Sequence, residues 1–167
     1  MKEKLIEGNG QFAISNKDNE LLKELVKGQH PQALVVTCSD SRVIPEAIFS
    51  KTFGDLFVIR TAGNVINEGE LASVEYGIEH LHIPLVVVMG HTHCGAVHAA
   101  LKNEKGQYLD PILNRIKKNI TGIDDEVEAS KANALKEVEF IKKMFPSYTG
   151  EVVAMLYDLE QKTVKIL

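Results

Sequence analysis

The sequence predicts an α/β domain: a mainly parallel central β-sheet flanked by helices. Three observations carry that expectation. Short apolar, β-branched runs at 33–37, 56–61 and 85–89 read as buried strands. Longer stretches between and after them carry apolar residues at helical spacing, as at Leu71, Val74, Ile78 and Leu81. The two kinds of segment alternate, and that order favours parallel strands joined by right-handed crossovers with helices on the sheet faces.

Taken in order, residues 3–27 read as helical, with a break near Ser15–Asn19 and an apolar stripe of Leu21, Leu22, Leu25 and Val26. Lys27-Gly28-Gln29-His30-Pro31 is a stop and loop. After the first strand, Pro45 suits the first turn of a short helix. The second strand leads into a tight turn at Ala62-Gly63-Asn64. A helix is expected from Glu70 to His82, closed by Pro84, then the third strand and a helix from Cys94 to about Asn103. Residues 109–119 and 125–145 read as amphipathic helices stopped by Pro146 and Gly150. Alternation over 151–159 and 163–167 predicts a terminal hairpin.

The 167 residues, 44% hydrophobic and 25% charged, match one ordinary globular domain, 1–167, rather than a disordered chain. A net charge of −4 with no basic run interleaved with aromatics argues against a nucleic-acid partner. No apolar run approaches a membrane span, and Met1–Leu5 has no signal-like core, so a cytoplasmic location is expected. Thiols stay reduced there, which turns the two cysteines toward metal binding or catalysis.

Both cysteines follow strands. The first run ends in Thr37-Cys38-Ser39-Asp40-Ser41-Arg42, the third in Gly90-His91-Thr92-His93-Cys94-Gly95. In an open α/β sheet, ligands bind at the carboxyl ends of strands. Cys38, His91 and Cys94 offer the mixed sulfur and nitrogen donors that zinc favours, and three protein donors leave a fourth position open. Asp40 is near enough in sequence to take that position in a closed state, and Arg42 to hold it away through a bidentate ion pair. A structural zinc, an inert buried pair of cysteines and a redox pair fit the same residues.

Cys38-Ser39-Asp40-Ser41-Arg42 followed by Gly90-His91-Thr92-His93-Cys94-Gly95-Ala96 resembles the β-class carbonic anhydrases. Lys27-Gly28-Gln29, Gly54–Arg60, Ala62-Gly63-Asn64, Ser73–Leu81 and Tyr157–Glu160 also resemble segments of that family, in its order. The resemblance implies reversible hydration of carbon dioxide to bicarbonate by one zinc-bound hydroxide per chain, the zinc held by Cys38, His91 and Cys94. It implies an Asp40–Arg42 catalytic dyad, and substrate contacts from Gln29, Phe57, Ala62, Tyr76 and Gly95, partly across a subunit boundary. His80 matches a proposed proton-transfer position, or is a solvated surface histidine. The resemblance further implies a homodimer, or a tetramer made of two such dimers. Carbonyl sulfide and carbon disulfide hydrolases use the same ligands, and a non-catalytic zinc-binding protein is the reading from another class. His93 and the absence of tryptophan depart from parts of the family pattern.

Overall fold

The structure, a computed structural model, describes residues 1–167. They form two compact units, Met1–His30 and Pro31–Leu167. The first holds α1 (Lys2–Ser15) and α2 (Glu20–Leu25), neither with a buried residue. The break between them falls where the sequence placed it, and Asn19 caps α2 by accepting the Leu22 N–H at 3.3 Å.

The second unit is built on five strands, β1 (Ala33–Cys38), β2 (Leu56–Thr61), β3 (Leu85–His91), β4 (Glu151–Asp158) and β5 (Thr163–Ile166). Their order is β2-β1-β3-β4-β5, parallel except for the final antiparallel hairpin. β1 is buried along its whole length, which is why its sequence runs apolar without alternating. Its alternate residues serve opposite faces. Leu34 and Val36 join Val74, Ile78, Val138 and Ile141 on one side, while Val35 packs with Val43, Val87 and Met89 on the other.

The helices of this unit are α3 (Pro45–Ile48), α4 (Glu68–Glu75), α5 (Gly95–Leu101), α6 (Asp110–Asn119) and α7 (Glu126–Met144). α7 lies across β3 and β4 and comes closest at Gly90, where an added Cβ would stand 3.0 Å from the Ser130 carbonyl oxygen. Asp125 caps α7 through the Glu128 N–H at 2.9 Å, and Asn67 with Glu70 forms a capping box on α4. No helix is long and apolar enough to cross a membrane.

Three elements differ from the sequence reading in ways that bear on the site, each for a visible reason. β1 and β3 run on to Cys38 and His91, because the ladder continues through Cys38–Thr61 and His91–Tyr157. Those two side chains therefore sit on paired backbone rather than in loops. The helix expected over 70–82 begins at the Asn67 cap and changes winding at Tyr76. Over Tyr76–His80 it widens into a π-turn, with the Leu81 N–H donating to the Tyr76 carbonyl at 3.2 Å.

The order of strands also fixes where a site forms. From β1 the chain goes outward to β2, then crosses back to β3 on the other side of β1. The carboxyl ends of β1 and β3 are thus neighbours whose following segments diverge, the switch point where α/β sheets open a crevice.

Candidate metal centre

Cys38, the last residue of β1, and His91, the last of β3, meet Cys94 at the N-cap of α5. Their donor atoms all lie within 4.8 Å of one another. The two sulfurs are 4.0 Å apart, close to the ~3.8 Å that two ~2.3 Å zinc–sulfur bonds subtend at a tetrahedral angle. All three side chains are buried. His91 Nδ1 donates to the Thr92 carbonyl at 2.9 Å, which fixes the tautomer and leaves Nε2 free to bind. That Nε2 is buried with no hydrogen-bond partner. An unpartnered basic nitrogen beside two thiols is costly in an empty core and suited to a metal. The donor set therefore fits a metal ion.

The protein favours charge on one of the two sulfurs. Cys38 is held well below the usual thiol range, first by the Cys94 thiol beside it, then by the nearby His91 ring and the Gly63 and Asp40 backbone, against the upward push of burial. Cys94 is pushed the other way, first by its bond to Cys38, then by burial and the neighbouring thiolate. The backbone N–H groups of Val97 and Ala96 at the start of α5 partly offset this. One thiolate forms readily, and the second needs a cation to join it.

Asp40 stands at the rim. Arg42 holds it three ways: Nε to Oδ1 at 2.9 Å, Nη2 to Oδ2 at 2.7 Å, and its own backbone N–H to Oδ1 at 2.9 Å. These bonds, and the nearby His91, keep the Asp40 carboxyl well below the usual carboxylate range. Asp40 Oδ2 is 4.0 Å from His91 Nε2, so the clamped carboxylate faces the metal position while Arg42 occupies both its oxygens. Arg42 Nη2 also donates to the His93 carbonyl at 3.0 Å, tying the β1 loop to the β3 loop.

Residues outside the expected set of site residues also hold this geometry. Arg60 on β2 donates to the carbonyls of Cys38, Asp40 and Val43 at 3.2, 2.7 and 2.8 Å, bracing the loop that carries Asp40. Thr92 Oγ1 accepts the Leu159 N–H at 3.0 Å. Gly63 donates its N–H to Cys38 Sγ at 3.3 Å. A glycine between two residues that can start a turn was the available signal for the last of these.

Gly63 has φ +68°, and a Cβ there would stand 2.7 Å from Ile116 Cδ1 and 3.1 Å from Ala96 Cβ. Gly63→Ala adds backbone strain and overpacking, and is expected to cost about 2–4 kcal/mol. A shift of the urea midpoint at constant m-value checks this.

The other expected site residues fall in three places. Ala62 opens the turn that holds Gly63, and Gly95 opens α5 beside Cys94, both at the metal end of the sheet. Gln29 lies exposed in the 1–30 unit, after α2. Phe57, Tyr76 and His80 form their own stack, with ring centroids 6.1 Å apart for Phe57–Tyr76 and 5.3 Å for Tyr76–His80. Phe57 pairs with Leu34, four residues before the Cys38–Thr61 pair, or about 13 Å along the strand at ~3.3 Å per residue. Within one chain the structure does not bring these aromatics to the metal centre. His93 points its ring to Glu160, Nε2 to Oε1 at 3.1 Å, and is exposed.

A family model described as carbonic anhydrase matches residues 33–164, the part that carries the sheet and the metal centre. The carbonic anhydrase of Synechococcus elongatus is 47% identical over 118 residues, covering 66% of this chain and 43% of that protein. Carbonic anhydrase 2 of Mycobacterium tuberculosis is 41% identical over 119 residues, covering 68% of this chain and 56% of that protein. The chain spans about half the length of these relatives. Among solved structures, the β-carbonic anhydrase CafA of Aspergillus fumigatus superposes with a TM-score of 0.88 at 27% identity, covering 99% of this chain and 89% of that one.

Proposed function

Since this chain belongs to the β-carbonic anhydrase family, we propose that it is a zinc enzyme that reversibly hydrates carbon dioxide to bicarbonate and a proton. The observation that carries this reading is the buried Cys38–His91–Cys94 cluster with a clamped carboxylate, Asp40, beside its one unpartnered nitrogen.

Cys38, His91 and Cys94 would hold one zinc ion per chain. Zinc there supplies a Lewis acid that acidifies water, though less strongly than at a site of neutral ligands, because two thiolates cancel its formal charge. Asp40 accepts a hydrogen bond from the attacking oxygen nucleophile and so turns its lone pair toward the carbon of CO₂, and Arg42 fixes the carboxylate for that task. Released from Arg42, Asp40 would take the fourth ligand position and close the site. The Gly95 N–H bonds an oxygen on which charge develops, and the family resemblance gives the Gln29 amide a substrate contact. Ala62 lines the small apolar space for CO₂. Phe57 and Tyr76 line it in a second copy of the chain, since they lie a strand's length from their own metal centre. His80, stacked on Tyr76 and exposed, hands the proton to buffer. This reading makes the active form a homodimer, or a tetramer of two such dimers, acting in the cytoplasm.

Stopped-flow CO₂ hydration with zinc measured on the same sample tests the reading. Turnover at one zinc per chain, climbing with pH through neutrality, is the expected result. Asp40 stays ionised far into acid because its pKa is lowered, so its own titration does not cause that climb. Stoichiometric zinc without CO₂ turnover at any pH would overturn the substrate, leaving carbonyl sulfide and carbon disulfide to be assayed next.

A further inference from the structure

Glu137 on α7 is a fully buried carboxylate that the proposed chemistry leaves unused. Arg115 of α6 meets it bidentately, Nε to Oε1 and Nη2 to Oε2, both at 2.8 Å. The guanidinium sits 4.1 Å from the centroid of the Phe140 ring. One turn further along α6, the amide nitrogen of Asn119 donates to Glu137 Oε1 at 2.8 Å and to Asn133 Oδ1 at 3.0 Å. Asn133, also fully buried, then donates through Nδ2 to the Gly63 carbonyl at 2.8 Å. Gly63 in turn donates its N–H to Cys38 Sγ. An unbroken line of hydrogen bonds runs from an ion pair between two outer helices to a sulfur of the metal centre.

The line has a direction. An ionised carboxylate only accepts, so Glu137 obliges Asn119 to turn its NH₂ inward. That NH₂ obliges Asn133 to answer with its oxygen, which leaves the Asn133 NH₂ for Gly63. Were the Asn133 amide reversed, its oxygen would face the Gly63 carbonyl. A buried ion pair is often replaceable by apolar residues at no loss of stability. What this pair delivers that an apolar pair would not is the orientation of one amide.

We propose that Asn133 is a positioning residue of the metal centre. Oriented by Arg115, Glu137 and Asn119, it pins the left-handed Gly63 turn so that the Gly63 N–H stays on the Cys38 sulfur. The inference rests on the metal-centre reading above. A hydrogen bond to a ligand sulfur draws electron density from it and fixes its direction, so losing the pin changes both the electronics and the affinity of the site.

The full-length chain and three variants, Asn133→Ala, Asn119→Ala and Val138→Ala, are loaded with cobalt(II) to read the thiolate-to-cobalt charge-transfer band. Zinc affinity is read by competition with a chromophoric chelator. Asn133→Ala is expected to move the band to longer wavelength and to weaken zinc binding about tenfold or more. Asn119→Ala is expected to do the same to a smaller degree, and it carries the test should Asn133→Ala fail to fold. Val138 is buried on the same helix against the sheet but outside the line, so its variant is expected to lose thermal stability with band and affinity unchanged. An unchanged band and affinity in both asparagine variants would overturn the inference, as would an equal change in Val138→Ala. A wild-type chain with no thiolate–cobalt band would overturn the metal-centre reading itself.

Discussion

Asp40→Ala is expected to keep a full equivalent of zinc and to lose CO₂ turnover by about 10²–10⁴-fold, the range for a positioned proton acceptor. Metal retention follows from the geometry. Asp40 is not among the three clustered donors, and both its oxygens are engaged by Arg42. Loss of turnover follows from its place 4.0 Å from His91 Nε2, facing the metal position. The variant also strips Arg42 of its partner while the guanidinium keeps its bond to the His93 carbonyl, so the loop between the two sheet ends stays tied. Asp40→Asn separates charge from shape: it preserves size and one acceptor oxygen, and is expected to fall nearly as far as alanine. Stopped-flow assay with zinc analysis of both variants checks this. Normal turnover in Asp40→Ala would remove the dyad from the mechanism.

Cys94→Ala is expected to abolish stoichiometric zinc and, with it, all measurable turnover. Three protein donors are the full set, and removing one leaves a thiol and an imidazole to hold the ion. Cys94 is 1% exposed at the N-cap of α5, where its bond to Cys38 and its burial hold the thiol up and the N–H groups of Val97 and Ala96 only partly offset them, so its thiolate depends on the metal. The fold should persist, because alanine fits the position and α5 keeps its packing against α6. Thermal melts separate the two effects. The wild-type Tm should rise with added zinc, by the mass-action stabilisation of about 4 kcal/mol at a thousandfold excess over Kd. The variant's Tm should not move. A Cys94→Ala chain that carries one zinc would take Cys94 off the ligand set.

Much of this was legible in the sequence because it is local. The strands announce themselves as β-branched runs, and each ligand motif is contiguous with the strand that carries it, so Cys38 and His91 could be placed just past the carboxyl ends of strands, with the expected ends one and two residues short of where those strands in fact end. Asp40 and Arg42 are two residues apart and meet as their spacing suggests. What stayed hidden depends on register and long closure. Phe57 and Cys38 belong to adjacent strands, and only the Phe57–Leu34 pairing reveals that they lie at opposite ends of the sheet. Arg60 is exposed on β2, and its bonds to the β1 loop depend on how that loop folds. Asn133 reaches Gly63 across 70 residues of sequence, and nothing near either residue marks the other. The π-turn at Tyr76–His80 was hidden too, since its apolar spacing is that of an ordinary helix.

The 4.0 Å separation of the two sulfurs has a second consequence, in oxidation chemistry. With zinc present both thiolates are occupied. Without it, the sulfurs need to close by about 2 Å to reach the ~2.05 Å of a disulfide. A peroxide can take two electrons from the pair and leave as water, with the two thiol protons completing the balance. Zinc and oxidant therefore compete for the same two atoms. A chain stripped by chelator in air is expected to refuse zinc until a thiol reductant is added, whereas one stripped without oxygen should reload at once.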